Sequence, residues 1–385
     1  MVESPPSADD SGDPTEPSVL VIADFSPNLE KVDRHIQPLA ATTSTTMVCI
    51  SPTASDDIDF LTVPSFGWRP LGLCLMFWHG LLEAWRGNYD AIVSFSLIPH
   101  GTFALIVARL TGTPVHVATI GADIDVHARS RYRAAVRFLL RQFDLVTVPG
   151  ATHRQELEEF GLESDRIAIL TNPIDADEFV PKETETHVDL LWVGRLSPEK
   201  DPLVFVEACR QLRNRNVSFS AVIVGDGPLA ESIRDRLAEL DLEEHVSLVG
   251  WIDDPTRYYQ RAEIFALTSE RDALPLTLLE AMASGCAPVV PAVGNVTDVA
   301  NDGETALVVD DRAPSRFADA FEHLLTTDDV RRRLQRNATV VRYTHSLDRT
   351  AMDWKLILQK LLAHDSSAPE DRNSRARSER ESTNV

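Results

Sequence analysis

The sequence predicts an α/β protein of two doubly wound domains, each a parallel sheet covered by crossover helices. Short β-branched runs alternate with helical patterns along most of the chain. The 385 residues exceed what one ordinary core fills. Near the middle, the polar stretch 172–185 with Pro173 and Pro181 interrupts the alternation.

In order, the first half offers strands at 19–23, 46–50, 91–95, 115–119, 145–148 and 167–170. The second half offers 188–193, 221–224, 246–249, 264–268, 287–291 and 306–309. The expected division is a disordered 1–16, a first domain over 17–171, a linker over 172–186, a second domain over 187–364 and a disordered tail over 365–385. The final helix is a candidate to pack back on the first domain. Both ends are rich in Ser, Asp, Glu, Arg and Pro, with little to bury. Asp201 before Pro202 reads as an N-cap acid ahead of a first-position proline. Leu229, Ile233, Leu237 and Leu240 form an apolar stripe at helical spacing, which is core. Gly285 stops a helix over 276–284, after which a buried strand resumes.

Composition narrows the function classes. Asp and Glu outnumber Lys and Arg by 59 to 37, a net charge of −22. General nucleic-acid binding needs the opposite sign. The acids are spread along the chain and only five of the bases are lysine, so a surface adapted to high salt is favoured over an acidic docking patch. No run of 18 apolar residues suggests a membrane span. The acidic start lacks the basic and apolar regions of a signal peptide, so residence in the cytoplasm is expected. Cys49, Cys74, Cys209 and Cys286 contain no CxxC pair, which argues against a zinc ribbon or a disulfide framework. No metal site is expected. HExxH, P-loop and nucleophile-elbow motifs are missing.

Two clusters could do chemistry. Val193-Gly194-Arg195-Leu196-Ser197-Pro198-Glu199-Lys200-Asp201 follows the first strand of the second half, where open α/β sheets bind ligands. Gly194 permits close backbone approach, and Arg195 with Lys200 places two cations over a diphosphate. A solvated strand–helix loop would look the same. In the second cluster, Asp272 opens a loop, a helix starts near Leu276, and Glu280 lies about a turn inside. Free amides at that helix start suit an anion, and Glu280 could accept bonds from a ribose diol. An acid placed for dipole reasons is the plainer reading, yet the apolar Ala-Met-Ala-Ser-Gly that follows means the Glu280 carboxylate needs a partner.

The ordered set of Gly194-Arg195 with Lys200, Val224-Gly225-Asp226-Gly227-Pro228, Val249-Gly250-Trp251-Ile252, Asp272 to Glu280, Gly285-Cys286-Ala287-Pro288 and Val293-Gly294 resembles the nucleotide-sugar domain of retaining GT-B glycosyltransferases, specifically glycosyltransferase family four. The resemblance covers roughly residues 165–360. It implies two Rossmann-like domains facing across a cleft and sugar transfer from a nucleoside diphosphate sugar to an acceptor hydroxyl, without a metal or other cofactor. By resemblance, Arg195 and Lys200 hold the diphosphate and Glu280 the ribose. Gly194, Gly225, Gly250, Leu276 and Thr277 line the donor site, and Ile252 faces the base. Asp272, Ala273 and Leu274 touch the transferred sugar. The family usually has Glu and Gly where Asp272 and Ala273 stand, and a second glycine is common at Asn295.

The first half departs further. Asp24-Phe25-Ser26-Pro27-Asn28 replaces the usual glycine-rich loop, and Ile120 stands where a catalytic-site histidine is frequent. His100, Asp123, Asp125 and His127 are the candidates for the acceptor side. These departures keep open a non-catalytic nucleotide-sugar-binding partner subunit and, on the same fold, a nucleotide-sugar epimerase. Arg129, Arg133, Arg137 and Arg141 recur every fourth residue, one basic helix face. The uncharged stretch 70–82 suits an interfacial or core helix. Together they raise peripheral membrane contact and a lipid-linked acceptor, against a solvated face and a buried helix.

Overall fold

Seven parallel strands make the first sheet: β1 (Ser18–Ile22), β2 (Ser44–Cys49), β3 (Ile58–Thr62), β4 (Ala91–Ser94), β5 (Val115–Ala118), β6 (Leu145–Val148) and β7 (Ile167–Ile169). They lie in the order β3-β2-β1-β4-β5-β6-β7. The computed structural model describes residues 16–25, 30–52, 55–119, 124, 131–182 and 188–366. A second parallel sheet contains β8 (Val188–Val193), β9 (Ala221–Val224), β10 (Val246–Gly250), β11 (Ala262–Ala266), β12 (Ala287–Pro291) and β13 (Leu307–Val309), ordered β10-β9-β8-β11-β12-β13. Each order reverses direction beside the first strand of its sheet, which opens a crevice at the carboxyl ends of β1 and β8.

Burial on both faces explains why these strands read as continuous apolar runs. In β1, Leu20 and Ile22 pack under helices Arg69–Arg86, Thr102–Thr111, Arg133–Leu140 and Ala151–Glu159. Val19 and Val21 point the other way, against helix Glu30–Ala40 and the final helix, Leu347–Ser366. That final helix therefore returns to the first domain, where Trp354, Ile357, Leu358 and Leu361 are buried. Lys360 Nζ also donates to the Ile167 carbonyl at 3.1 Å.

Every expected strand has a counterpart, and one more exists. Among the described residues β3 pairs only with β2; at a sheet edge it can carry Asp59 and leave most of its side chains partly wet, so it lacks an apolar run. Part of the expected linker is core instead: Ile174 and Phe179 are buried with the second domain. Residues 183–187 lie outside the described residues, as do both expected disordered ends apart from Glu16 and the last two residues of the final helix. The Pro202–Asn214 helix starts where Asp201 predicts, but the Asp201 side chain makes no cap bond. It pairs with Arg312 instead, because Asp201 itself sits at φ 45° and turns its carboxylate away from the helix amides. The Leu229 stripe is core as read: Ile233 and Leu237 are buried, with Leu229 and Leu240 packed beside them.

Candidate active site

A cleft of about 810 Å³ opens over the ends of β8 and β9. Gly194, Arg195, Gly225, Ile252, Leu276, Thr277 and Glu280 line it, with Arg34 and Gln37 entering from the first domain. The floor is tight. A Cβ on Gly225 would sit 1.9 Å from the Gly194 carbonyl oxygen, and its φ of +140° also favours glycine. The Gly225 amide donates to the Gly250 carbonyl at 2.8 Å, so Gly250 braces this turn without lining the cleft.

Glu280 is buried at 7% exposure and has the partner its apolar setting demands. The Tyr259 hydroxyl donates to Glu280 Oε2 at 2.9 Å. Burial first, and the Glu280 charge second, push the Tyr259 phenol well above its ordinary range, so it stays a donor. Arg34 Nη2 lies 3.6 Å from Glu280 Oε1, bringing a first-domain cation to the same carboxylate. The helix carrying Glu280, Leu276–Ala283, starts after Pro275 with no side-chain cap. Its first amides therefore face the cleft as an anion site.

The remaining second-domain candidates, Lys200, Asp272, Ala273 and Leu274, are not among the residues that line this cleft. Lys200 Nζ is ion-paired with Asp272 Oδ2, and Ser269 Oγ donates to the same carboxylate at 3.1 Å. Ala273 and Leu274 are buried, and their carbonyls are gripped by two asparagines. Asn295 donates to Ala273 O from its backbone at 2.7 Å and its side chain at 3.1 Å. Asn172 Nδ2 donates to Leu274 O at 2.9 Å. Gly294 is required here, since a Cβ would meet the Asp272 carbonyl oxygen at 1.8 Å.

Asn295 also reaches the first domain. Its Oδ1 accepts from the His153 amide at 3.1 Å, and its Nδ2 lies 2.9 Å from His153 Nδ1. Asp298 Oδ2 accepts from the Ala151 amide at 2.6 Å. The Ala151–Glu159 helix, preceded by Gly150 with no cap of its own, is thus capped by the second domain. This tie stands where the resemblance leads one to expect a glycine.

Of the acceptor-side candidates, Asp123, Asp125 and His127, together with Ile120 and Arg129, lie outside the described residues. His100 is 6% exposed beside the carboxyl end of β4. Its Nδ1 lies 3.2 Å from Ser96 Oγ and its Nε2 has no partner among the described residues. Burial lowers its pKa, keeping the ring neutral. Arg34 and Tyr259 escaped sequence reading. Arg34 had one signal: with Lys31 it is one of two bases among the first 68 residues.

Residues 173–341 match the family described as glycosyl transferases group 1, and residues 44–173 match a glycosyl transferase 4-like domain. The chain has the GT-B fold, and the two glycosyltransferase models between them match residues 44–341. It is 26% identical over 249 residues, 58% of this chain and 63% of the other, to the UDP-Gal:alpha-D-GlcNAc-diphosphoundecaprenol alpha-1,3-galactosyltransferase of Escherichia coli. It is 27% identical over 269 residues, 63% of each chain, to the D-inositol 3-phosphate glycosyltransferase of Corynebacterium glutamicum. The matched segments thus span less than two thirds of these relatives. In fold it superposes on Anabaena HepE in complex with UDP-glucose, with a TM-score of 0.74 at 15% identity over 90% of this chain and 99% of that one.

Proposed function

We propose that the protein is a retaining glycosyltransferase that moves a sugar from a nucleoside diphosphate sugar to an acceptor hydroxyl at the cytoplasmic face of a membrane. One observation carries the reading: Arg195, the open first turn of Leu276–Ala283 and Glu280 converge on one cleft at the carboxyl ends of β8 and β9. The arginine and helix amides offset the diphosphate charge as it develops on the leaving group, so no metal is required for that role. Glu280, oriented by Tyr259, takes the ribose hydroxyls. The sugar–phosphate C–O bond breaks, the acceptor oxygen bonds to the same face of the anomeric carbon, and the departing phosphate takes the acceptor proton. Lys200 brings Asp272 as its own counter-ion, so Arg195 contributes more to holding the diphosphate. His100, whose buried Nε2 has no partner among the described residues, is the acceptor-side candidate that the structure describes.

The E. coli relative is named for a diphosphoundecaprenol-linked acceptor, which supports a lipid-linked acceptor here. The test is a screen of nucleotide sugars for thermal stabilisation, followed by product analysis with candidate acceptors in excess EDTA. Ligand binding raises the melting temperature by mass action. A transferred sugar supports the proposal; an unchanged donor indicates a binding subunit, and an isomerised donor an epimerase.

A further inference from the structure

The four helices under the first sheet turn their outer sides to one common surface, because their inner sides share a single core with Leu20 and Ile22. On Arg69–Arg86 the buried positions are Gly72, Met76, Gly80 and Ala84. At Gly80 the helix lies so close that a Cβ would be 3.0 Å from Ile22 Cδ1. The opposite side carries Trp78, Leu82 and Trp85, exposed at 54%, 42% and 70%. Trp68, just before the helix, is 62% exposed. Three of the chain's six tryptophans therefore stand in solvent along one helix and its entrance. The Phe77 ring touches both Trp78 and Phe103. That contact continues the apolar surface onto Thr102–Thr111, where Ile106 and Leu110 are exposed.

Charge on the strip's own two helices opposes that of the molecule: Arg69–Arg86 and Thr102–Thr111 hold three arginines and one acid, in a chain with 59 acids and 37 bases overall. Arg69 and Arg86 are exposed at the two ends of the helix that carries the tryptophans. Glu83, the acid on Arg69–Arg86, is half-buried and accepts from the Tyr89 hydroxyl at 2.9 Å. The arginine face read from the sequence is narrower than expected: Arg137 stacks over the Phe160 ring at 3.9 Å, and Arg141 donates to the Phe160 carbonyl.

We infer that the outer face of Arg69–Arg86 and Thr102–Thr111 docks on an anionic bilayer, with the tryptophans at headgroup level and the arginines on lipid phosphates. Exposed tryptophans beside arginines suit a membrane interface. With 18 residues, the Arg69–Arg86 helix offers about 27 Å of strip to lie along the surface. No helix among the described residues is long and apolar enough to cross a membrane, so the contact is peripheral. A second copy is the poorer occupant. A two-fold interface would set this arginine-bordered face against itself with little acid to pair. The membrane contact serves the proposed transfer to a lipid-linked acceptor, yet vesicle binding is read without any sugar. Its failure would leave transfer to a soluble acceptor standing.

Flotation with vesicles of phosphatidylglycerol and phosphatidylcholine, at the lowest salt that keeps the protein folded, tests this. The wild type should float, and pure phosphatidylcholine should bind at least tenfold less. Trp78→Gln/Leu82→Gln/Trp85→Gln should lower partitioning at least tenfold with an unchanged melting temperature. Arg69→Gln/Arg86→Gln should also lower it about tenfold or more, at about fivefold per arginine. Arg333→Gln/Arg336→Gln, the same charge removed from the second domain, should not. Failure of the wild type to float, equal flotation of the tryptophan variant, or a dimer that this variant converts to monomer would each overturn the inference.

Discussion

Replacing Asn295 by Ala should loosen the tie between the two domains by an amount the geometry fixes. The side chain is fully buried and makes three contacts, two of them to His153 across the domain boundary. The Ala273 carbonyl keeps its bond from the Asn295 amide at 2.7 Å, so that contact is largely spared. What is lost is two hydrogen bonds of about 1 kcal/mol each, and the His153 amide gives up its acceptor, a further cost of about 1–3 kcal/mol. The expected destabilisation is about 3–5 kcal/mol. Asn295→Asp should be no better, because it keeps Oδ1 but turns a second oxygen toward the Ala273 carbonyl. Asp298→Ala should cost about 0.5–2 kcal/mol as the loss of a helix cap, and the two should not add, since both cap the same helix. Urea unfolding followed by circular dichroism gives each value from the midpoint at constant slope. A loss under about 0.5 kcal/mol in Asn295→Ala would refute this assignment.

Three further outcomes are expected. Glu280→Gln should bind donor better than Glu280→Ala, and Tyr259→Phe should weaken donor binding by about 1.5–3 kcal/mol, the range for a bond to a charged group; calorimetry with the best nucleotide from the screen measures both. Lys200→Ala should cost less in transfer than Arg195→Ala, because Lys200 already has Asp272 as a partner; comparing kcat/KM of the two variants decides it. Acidification should destabilise the fold through two buried histidines, His116 with its pKa lowered to about 3 and His345 with its pKa lowered to about 4, in both cases by burial. Folded, each stays neutral while the unfolded ring takes a proton near pH 6.5. Stability is therefore present above that value and declines below it, by about 2 kcal/mol for each histidine at pH 5. In His116→Gln, the decline between pH 7 and 5, measured by urea unfolding, should shrink by about 2 kcal/mol.

The sheets were legible because parallel strands buried on both faces leave uninterrupted apolar runs, as in β1 and β12. The edge strand β3 was not, since an edge tolerates Asp59. The cleft lining was legible where glycines and charges cluster in one loop, as at Gly194-Arg195 and at Leu276 to Glu280. Contacts between distant segments left no local pattern: Tyr259 holds Glu280, Arg34 reaches it from another domain, and Asn295 caps a first-domain helix. Lys200 and Asp272 were both singled out, but their pairing with each other depends on folding 72 residues together. The arginine periodicity was real in sequence, yet Phe160, outside the repeat, engages two of its members.

The most direct measurement is transfer of labelled sugar from the stabilising nucleotide sugar to an undecaprenyl-diphosphate-linked acceptor in excess EDTA, comparing wild type with Arg195→Ala. The proposal expects a product with the donor's anomeric configuration, made undiminished in EDTA, and a tenfold or greater loss in Arg195→Ala with the melting temperature kept. Inverted product, activity that returns only with magnesium, or near-wild-type turnover in Arg195→Ala would contradict it.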